Sequence, residues 1–401
     1  MKPITPLKHP IIQLLVILNC LILCRCVTEY NAKGIDELTD ILVVSGIITD
    51  DETTITLSRS TNISKEYADS NYVDNAKVYV ECDDGTKWEA EPLKWDWLSS
   101  IAPARNGRYT IKNGKLNLDN KYRLKIEIKE TDGDNCVNNP WMGITCPTKT
   151  YEYCSEFSYP FETPEIDSIF YVKRGKRQPV MIYVDTRSPE SKTYYRWSYK
   201  EDWEVNAELY LEGYPFNCWN SSKNSDLLVG TAEKTVYGQL ADILTEIDPA
   251  DTRLSALYRI IVKQNVISKK SHDYYLNIKK NAENIGSIFA PIPSELRGNI
   301  ICTTEPERPV IGYIDVSGTT QNQRFILRNS YLYEPPPKED CEETTEDAFK
   351  EKYGRYAELQ DYGYILYRAA TDREPARYIF QRCVDCRKLG GITQKPDNWP
   401  R

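Results

Sequence analysis

Histidine is nearly absent. The chain of 401 residues holds two, His9 and His272. Multi-histidine metal centres are excluded, and any Ser-His or Cys-His relay in a chain without its first residues must run through His272. Positive charge is also scarce: 51 Lys and Arg stand against 59 Asp and Glu, for a formal net charge of −8. That balance lacks the basic footprint that nucleic acid requires, and it does not dock on an anionic membrane by charge alone. No Gly-x-Ser-x-Gly elbow and no phosphate-cradling Gly-rich loop occurs. The one long apolar run, Ile11 to Cys24, is broken only by Gln13 and Asn19.

That run follows Lys2 and Lys8. A basic start and some fourteen mostly apolar residues read as a secretory leader over residues 1–25, too short for a transmembrane span. The leader ends in Leu23-Cys24-Arg25-Cys26. A cysteine at that point is the lipid acceptor of bacterial lipoproteins. Cys26 is preferred, because polar sequence starts directly after it, and Cys24 is the alternative. Nine cysteines follow Cys26. In an exported, oxidising setting the default is disulfides rather than metal, and the odd number leaves one thiol free if all others pair. Cys383-Val-Asp-Cys386 has the spacing of a redox pair or half a zinc site. It lies in a Gly-rich tail with no second such pair, so structural cross-linking is the expectation for Cys383 and Cys386.

What the chain does have is tyrosine, 29 against 8 Phe. Tyr keeps a polar tip on a buried ring, which suits half-exposed strands and recognition surfaces. The length allows two to three domains. Alternation predicts strands at Ile41–Gly46, Thr53–Ser58, Ala76–Cys82, Gly107–Ile111 and Tyr122–Ile128, with a hairpin turn at Asp83-Asp84-Gly85. This reads as an N-terminal prealbumin- or Ig-like β-sandwich over residues 26–150. A larger strand-rich body over 151–333 follows, with strands at Val180–Val184, Thr193–Tyr199, Leu257–Val262 and Val310–Val316. One helix is expected from Ser271, as N-cap, to Asn281. Residues 334–401 form an acidic Pro linker, a short helix capped by Thr345, and the cysteine-containing end. The fold class is mainly β.

Chemistry is thinly supplied. Ser271, His272 and Asp273 are adjacent, and neighbours on a helix point apart, which argues against a relay. Asp202-Trp203-Glu204 is the one acid–aromatic cluster of note; a strand end with exposed acids and a buried Trp explains it, against a glycosidase pair. Asp132-Gly-Asp-Asn135 lacks calcium-loop spacing. Asn62 and Asn220 open glycosylation sequons, relevant only to a eukaryotic route. Aromatics remain: Trp197, Trp203 and Trp219 are the candidate ligand contacts, since exposed Trp forms platforms for sugars and partners. No cofactor and no metal is expected.

Several stretches together resemble one family: Cys26–Tyr30, "DILVVSGIITD" from Asp40, "YYRWSYKEDWE" from Tyr194, "GSIFAPIPSELRGNI" from Gly286, "VIGYIDVSG" from Val310, and "CVDCRKLGGITQKPDNW" from Cys383. They resemble the DUF4249-like outer-membrane lipoproteins of Bacteroidetes, a family of unknown function commonly encoded beside TonB-dependent transporters. Arg25 departs from the small residue usual before the acylated cysteine. The resemblance implies a lipid-anchored protein of the bacterial outer membrane, exposed at the cell surface, and it carries over no catalytic residue. The expectation is a non-catalytic binding or accessory module partnering a TonB-dependent transporter. A structural or adhesive surface protein and a carboxylate-based hydrolase are the alternatives. The acidity of the chain favours cationic ligands or basic partner patches.

Overall fold

The computed structural model describes residues 40–60, 71–91, 106–131, 136–139, 143–187, 192–224, 227–233, 239–284, 298–334, 341–355 and 357–400. Cys24, Cys26, Asn62, Asp132–Asn135 and the prolines at 335–337 lie outside them.

The strands begin with β1 (Leu42–Ile47), β2 (Asp51–Arg59), β3 (Ala76–Cys82), β4 (Lys87–Glu89), β5 (Arg108–Gly114) and β6 (Tyr122–Thr131). A small pair, β7 (Val137–Asn139) and β8 (Gly143–Thr145), leads to β9 (Thr148–Ser155). Next come β10 (Ser168–Val172), β11 (Val180–Arg187), β12 (Lys192–Asn206), β13 (Asn217–Lys223), β14 (Leu228–Glu233), β15 (Gln239–Ile247) and β16 (Leu257–Ile267). Helix α1 (Lys269–Asn284) precedes β17 (Ile300–Cys302), β18 (Val310–Ile311) and β19 (Thr319–Leu327). Helix α2 (Glu346–Tyr353) and a hairpin of β20 (Tyr364–Arg368) and β21 (Arg377–Phe380) complete the set. The fold is mainly β, as the alternation implied.

Two sandwiches carry the structure. In the first, the sheet β18-β1-β2-β5 faces the sheet β17-β9-β6-β3-β4. Period two sets the packing: Tyr122, Leu124, Ile126 and Ile128 of β6 are buried, while Arg123, Lys125 and Glu127 alternate with them toward solvent. The β3–β4 hairpin turns where expected, with Gly85 at φ +93° and the Asp84 carboxylate accepting from the Thr86 N–H at 2.8 Å. In the second sandwich, β10-β11-β15 faces β13-β12-β16-β19, with β14 also paired to β12. Its core holds Tyr195, Trp197, Tyr199, Tyr258 and Ile260 against Val180, Ile182 and Val184.

The chain returns to the first sandwich after α1. There β17 pairs with β9 and β18 runs parallel to β1, so residues 300–316 close sheets begun by residues 42–155. Ile314 and Val316 enter the first core, while Tyr313 and Asp315 point the other way, toward α1. The strand expected over Val310–Val316 is thus only a two-residue ladder, continued by a bridge from Val316 to Ile48. Two glycines enable the return. A Cβ at Gly298 would sit 1.5 Å from the Gly312 carbonyl oxygen, and one at Gly312, whose φ is +155°, would sit 2.4 Å from that of Val44. Gly298 serves this close approach of two backbones.

The helix reading needs one correction. α1 starts at Lys269, two residues before Ser271, because Ser268 is the cap: its hydroxyl accepts from the Ser271 N–H at 3.1 Å. Ser271 lies inside the helix, fully buried. Thr345 caps α2 as expected, accepting from the Ala348 N–H.

Cys383 and Cys386 are both cross-linked, and to different elements. Cys383 bonds Cys341 and Cys386 bonds Cys218. Among the described residues, three thiols rather than one are free: Cys82, Cys154 and Cys302, all buried in strands of the first sandwich. There they serve as small apolar side chains. Gly312→Ala is expected to lower stability by about 1–3 kcal/mol, since the side chain meets both a left-handed backbone and a neighbouring carbonyl. A thermal melt against wild type checks it; an unchanged midpoint would show that the return segment is not tightly packed.

Candidate functional site: a cleft between the sandwiches

Strand β12 decides where side chains go. Its odd positions, Tyr195, Trp197 and Tyr199, fill the second core. Its even positions lie on the outer face of the sheet, and register places Arg196 beside Asn265 and Ser198 beside Lys263 of β16. Across a gap stand residues 43–47 of β1, and α1 covers one end. The gap holds two adjoining cavities that share Arg196, Trp197 and Ser198, one of about 340 Å³ and one of about 190 Å³.

The larger cavity is tyrosine-rich. Tyr274 and Tyr275 of α1 and Tyr313 of the return segment pack ring to ring, at 5.4 and 5.8 Å between centroids. Tyr274 and Tyr275 fall on the buried stripe of α1 with Ser271 and His272, continued by the partly buried Ile278 at helical spacing. Arg196 Nη1 donates to the Tyr275 hydroxyl at 3.0 Å, and the guanidinium lies 4.9 Å from the centre of that ring. The Tyr275 hydroxyl in turn donates to the Tyr313 carbonyl at 3.2 Å. Burial pushes the Tyr274 hydroxyl up to about 12, with Tyr275 adding to it, so this group stays protonated and neutral around pH 7. Burial also pushes Tyr275 and Tyr313 up.

Beside these rings lies Asp315, 4% exposed. One carboxylate oxygen accepts from the Ser268 N–H at 3.2 Å. Burial raises its carboxyl above the usual range, against the pull of Ser271, Ser268 and Arg196. The His272 ring packs against Tyr194 at 4.9 Å between centroids, tilted by 43°. Ser271 and His272 are buried in this junction, and the adjacent Asp273 is exposed, pairs with Lys269 at 2.7 Å and lies 3.6 Å from His272 Nδ1.

The far end of the same outer face is closed by the C-terminal tail. Asp202, fully buried, meets Arg259 in an ion pair at 2.6 Å and accepts from the Ser221 hydroxyl. Arg259 Nη1 donates to the Asp397 carbonyl at 2.8 Å, and its guanidinium lies 5.4 Å from the Trp399 ring and 5.7 Å from Phe325. Trp219 exchanges backbone hydrogen bonds with Ile392 in both directions, next to the Cys218–Cys386 bond.

The expected aromatics separate on this map. Trp197 is 3% exposed, and its indole N–H donates to Gln264 at 2.8 Å inside the core, so it lends the cleft backbone and not a ring. Trp203 packs half-buried against the second core, and Trp219 lies under the tail with Lys395 over its ring. Odd and even positions of β12 explain this, because Trp197 and Trp203 share the core face. Asp202-Trp203-Glu204 departs from expectation at Asp202, which is buried because position 202 faces the tail; Glu204 is partly exposed and Trp203 half-buried against the core. The residues that do line the cleft, Arg196, Tyr274, Tyr275 and Tyr313, were not singled out in the sequence. The available signal was a lone Arg between aromatics in Tyr194-Tyr-Arg-Trp-Ser-Tyr199.

The family described as "Domain of unknown function (DUF4249)" matches residues 27–140 and 142–323. The chain belongs to this family. The match spans both walls of the DUF4249 cleft, from β1 through β12 and α1 to the return segment, and stops short of the tail. No curated protein matches the sequence.

The buried pair gives a test. Burial pushes Asp202 up, but hydrogen bonds from Lys200, Ser221 and Arg259 outweigh it and hold the carboxyl below its ordinary value. Stability from this group is therefore complete above the unfolded value near 3.9 and is lost as pH falls through the lower folded value. Asp202→Asn leaves Arg259 buried without its counter-ion and is expected to cost about 3–5 kcal/mol at pH 7. The gap to wild type should narrow toward pH 2. Denaturant melts across that range check both points, and a gap independent of pH would contradict the assignment.

Proposed function

We propose that the protein is an outer-membrane lipoprotein anchored through Cys26, with Cys24 as the alternative acceptor. It acts as a non-catalytic binding module that captures a small ligand in the inter-sandwich cleft and passes it to a TonB-dependent transporter. The observation that carries this reading is the cleft itself. Both sandwiches contribute walls, three tyrosines and a half-buried arginine line it, and cavities of this kind between packed units are where small ligands bind. The basic start, apolar run and terminal cysteine of residues 1–26 support the anchor. Membership in the DUF4249 family, with its resemblance to lipoproteins encoded beside transporters, supports the partner. A shared membrane raises the effective concentration of module and barrel without any new contact.

The test is isolation of the tagged full-length protein from its native membranes in mild detergent, followed by mass spectrometry. A barrel in equal amount and an acyl mass on the peptide beginning at Cys26 are expected, and Cys26→Ala should shift the protein to the aqueous fraction. Recovery alone and without acylation would reject both the anchor and the partner.

A further inference from the structure

Among the described residues, the larger cavity is lined by one cation, Arg196, and by no carboxylate, while the adjoining cavity that shares Arg196 adds Lys263 and Glu52. This is opposite in sign to the chain's net charge of −8. A guanidinium carries five N–H donors. Arg196 commits Nη1 to the Tyr275 hydroxyl and rests on that ring. No salt bridge engages it among the described residues, and it pulls on Asp315 without pairing to it. A half-buried cation with no counter-ion among the described residues is a receptive place for an anion, because the anion supplies what desolvation removed.

The rest of the wall describes the remainder of the ligand. Val43, Leu227, Ile278 and Ile311 are apolar, and the tyrosine rings extend that surface. A single guanidinium fork matches one planar carboxylate, whereas a phosphate dianion calls for more positive charge than the wall holds. A cationic ligand would meet Arg196 as a like charge. We infer that the cleft takes a small ligand bearing one carboxylate on an apolar body, held by Arg196 at its head. This inference rests on the cleft being the binding site. Two sources share the chemistry: a free organic acid and the C-terminus of a short peptide.

The experiment titrates the full-length chain by calorimetry with 3-phenylpropanoate, 3-phenylpropanamide and 3-phenylpropylammonium, three probes of one shape and different charge. The carboxylate is expected to bind about tenfold or more tighter than the amide, with the ammonium weakest. Its affinity should fall as salt is added. Arg196→Met should erase the preference; should that variant fail to fold, Arg196→Lys, which keeps the charge and loses the fork, is expected to reduce it in part. N-acetylphenylalanine and its amide form the second arm: a larger carboxylate preference there assigns the site to peptide ends, and a smaller one to free acids. Equal binding of acid and amide, abolished in both by filling the cavity with Ile278→Trp, would overturn the charge assignment and leave the cleft as the site. No binding by any probe at millimolar concentration would overturn both.

Discussion

Period two along a single strand organises this molecule. β12 runs fifteen residues and pairs with β13, β14 and β16. Because successive side chains leave opposite faces, its odd residues build a core and its even residues build everything the outer face does. Arg196 and Ser198 open onto the cleft, and Asp202 anchors the tail. A one-residue slip would move Arg196 into the core and Trp197 into water. The register is fixed by the buried Trp197–Gln264–Thr186 hydrogen bonds, which tie β12 to β16 and to the facing sheet.

The second organising feature is the return of residues 298–317. One segment faces the first core with Ile314 and Val316 and the junction with Tyr313 and Asp315. It joins the sandwiches through side chains that belong to neither core alone. The Asn299 side chain holds it at both ends of the Ile314 peptide, accepting from its N–H at 2.8 Å and donating to its carbonyl at 2.7 Å. The cleft tyrosines are thus placed by contacts with both halves, and the shape of the site depends on the junction.

Local patterns were legible where local physics decides. The Ala76–Gly85 hairpin has alternation followed by Asp-Asp-Gly, and the Thr345 cap is followed directly by acids in the first turn. The cap of α1 was read three residues late because Ser268 and Ser271 both suit a cap; they are separated by the Ser268 hydroxyl accepting from the Ser271 N–H and by the burial of Ser271 inside the helix. The two long-range cysteine pairings were not readable: besides the local Cys136–Cys146 bond, partners 42 and 168 residues apart are set by topology and not by spacing. The cleft itself escaped because its walls come from residues 43–47, 196–198, 274–278 and 311–313, which no linear window contains. Tryptophan frequency pointed to β12, but the face on which each ring falls depends on which side of the sheet carries the core.

The parallel pairing of β1 with β18 has a consequence for how the chain is made. β1 is among the first strands to emerge, and β18 appears only after every strand of the second sandwich except β19. Contacts so distant in sequence form late, after the loop between them has been closed by its own fold. Synthesis therefore proceeds with the edge at Leu42–Val43 unpaired, a template for wrong strands until residue 311 arrives. The first sandwich waits for strands that follow most of the second, and any chain that stops before residue 300 leaves both incomplete.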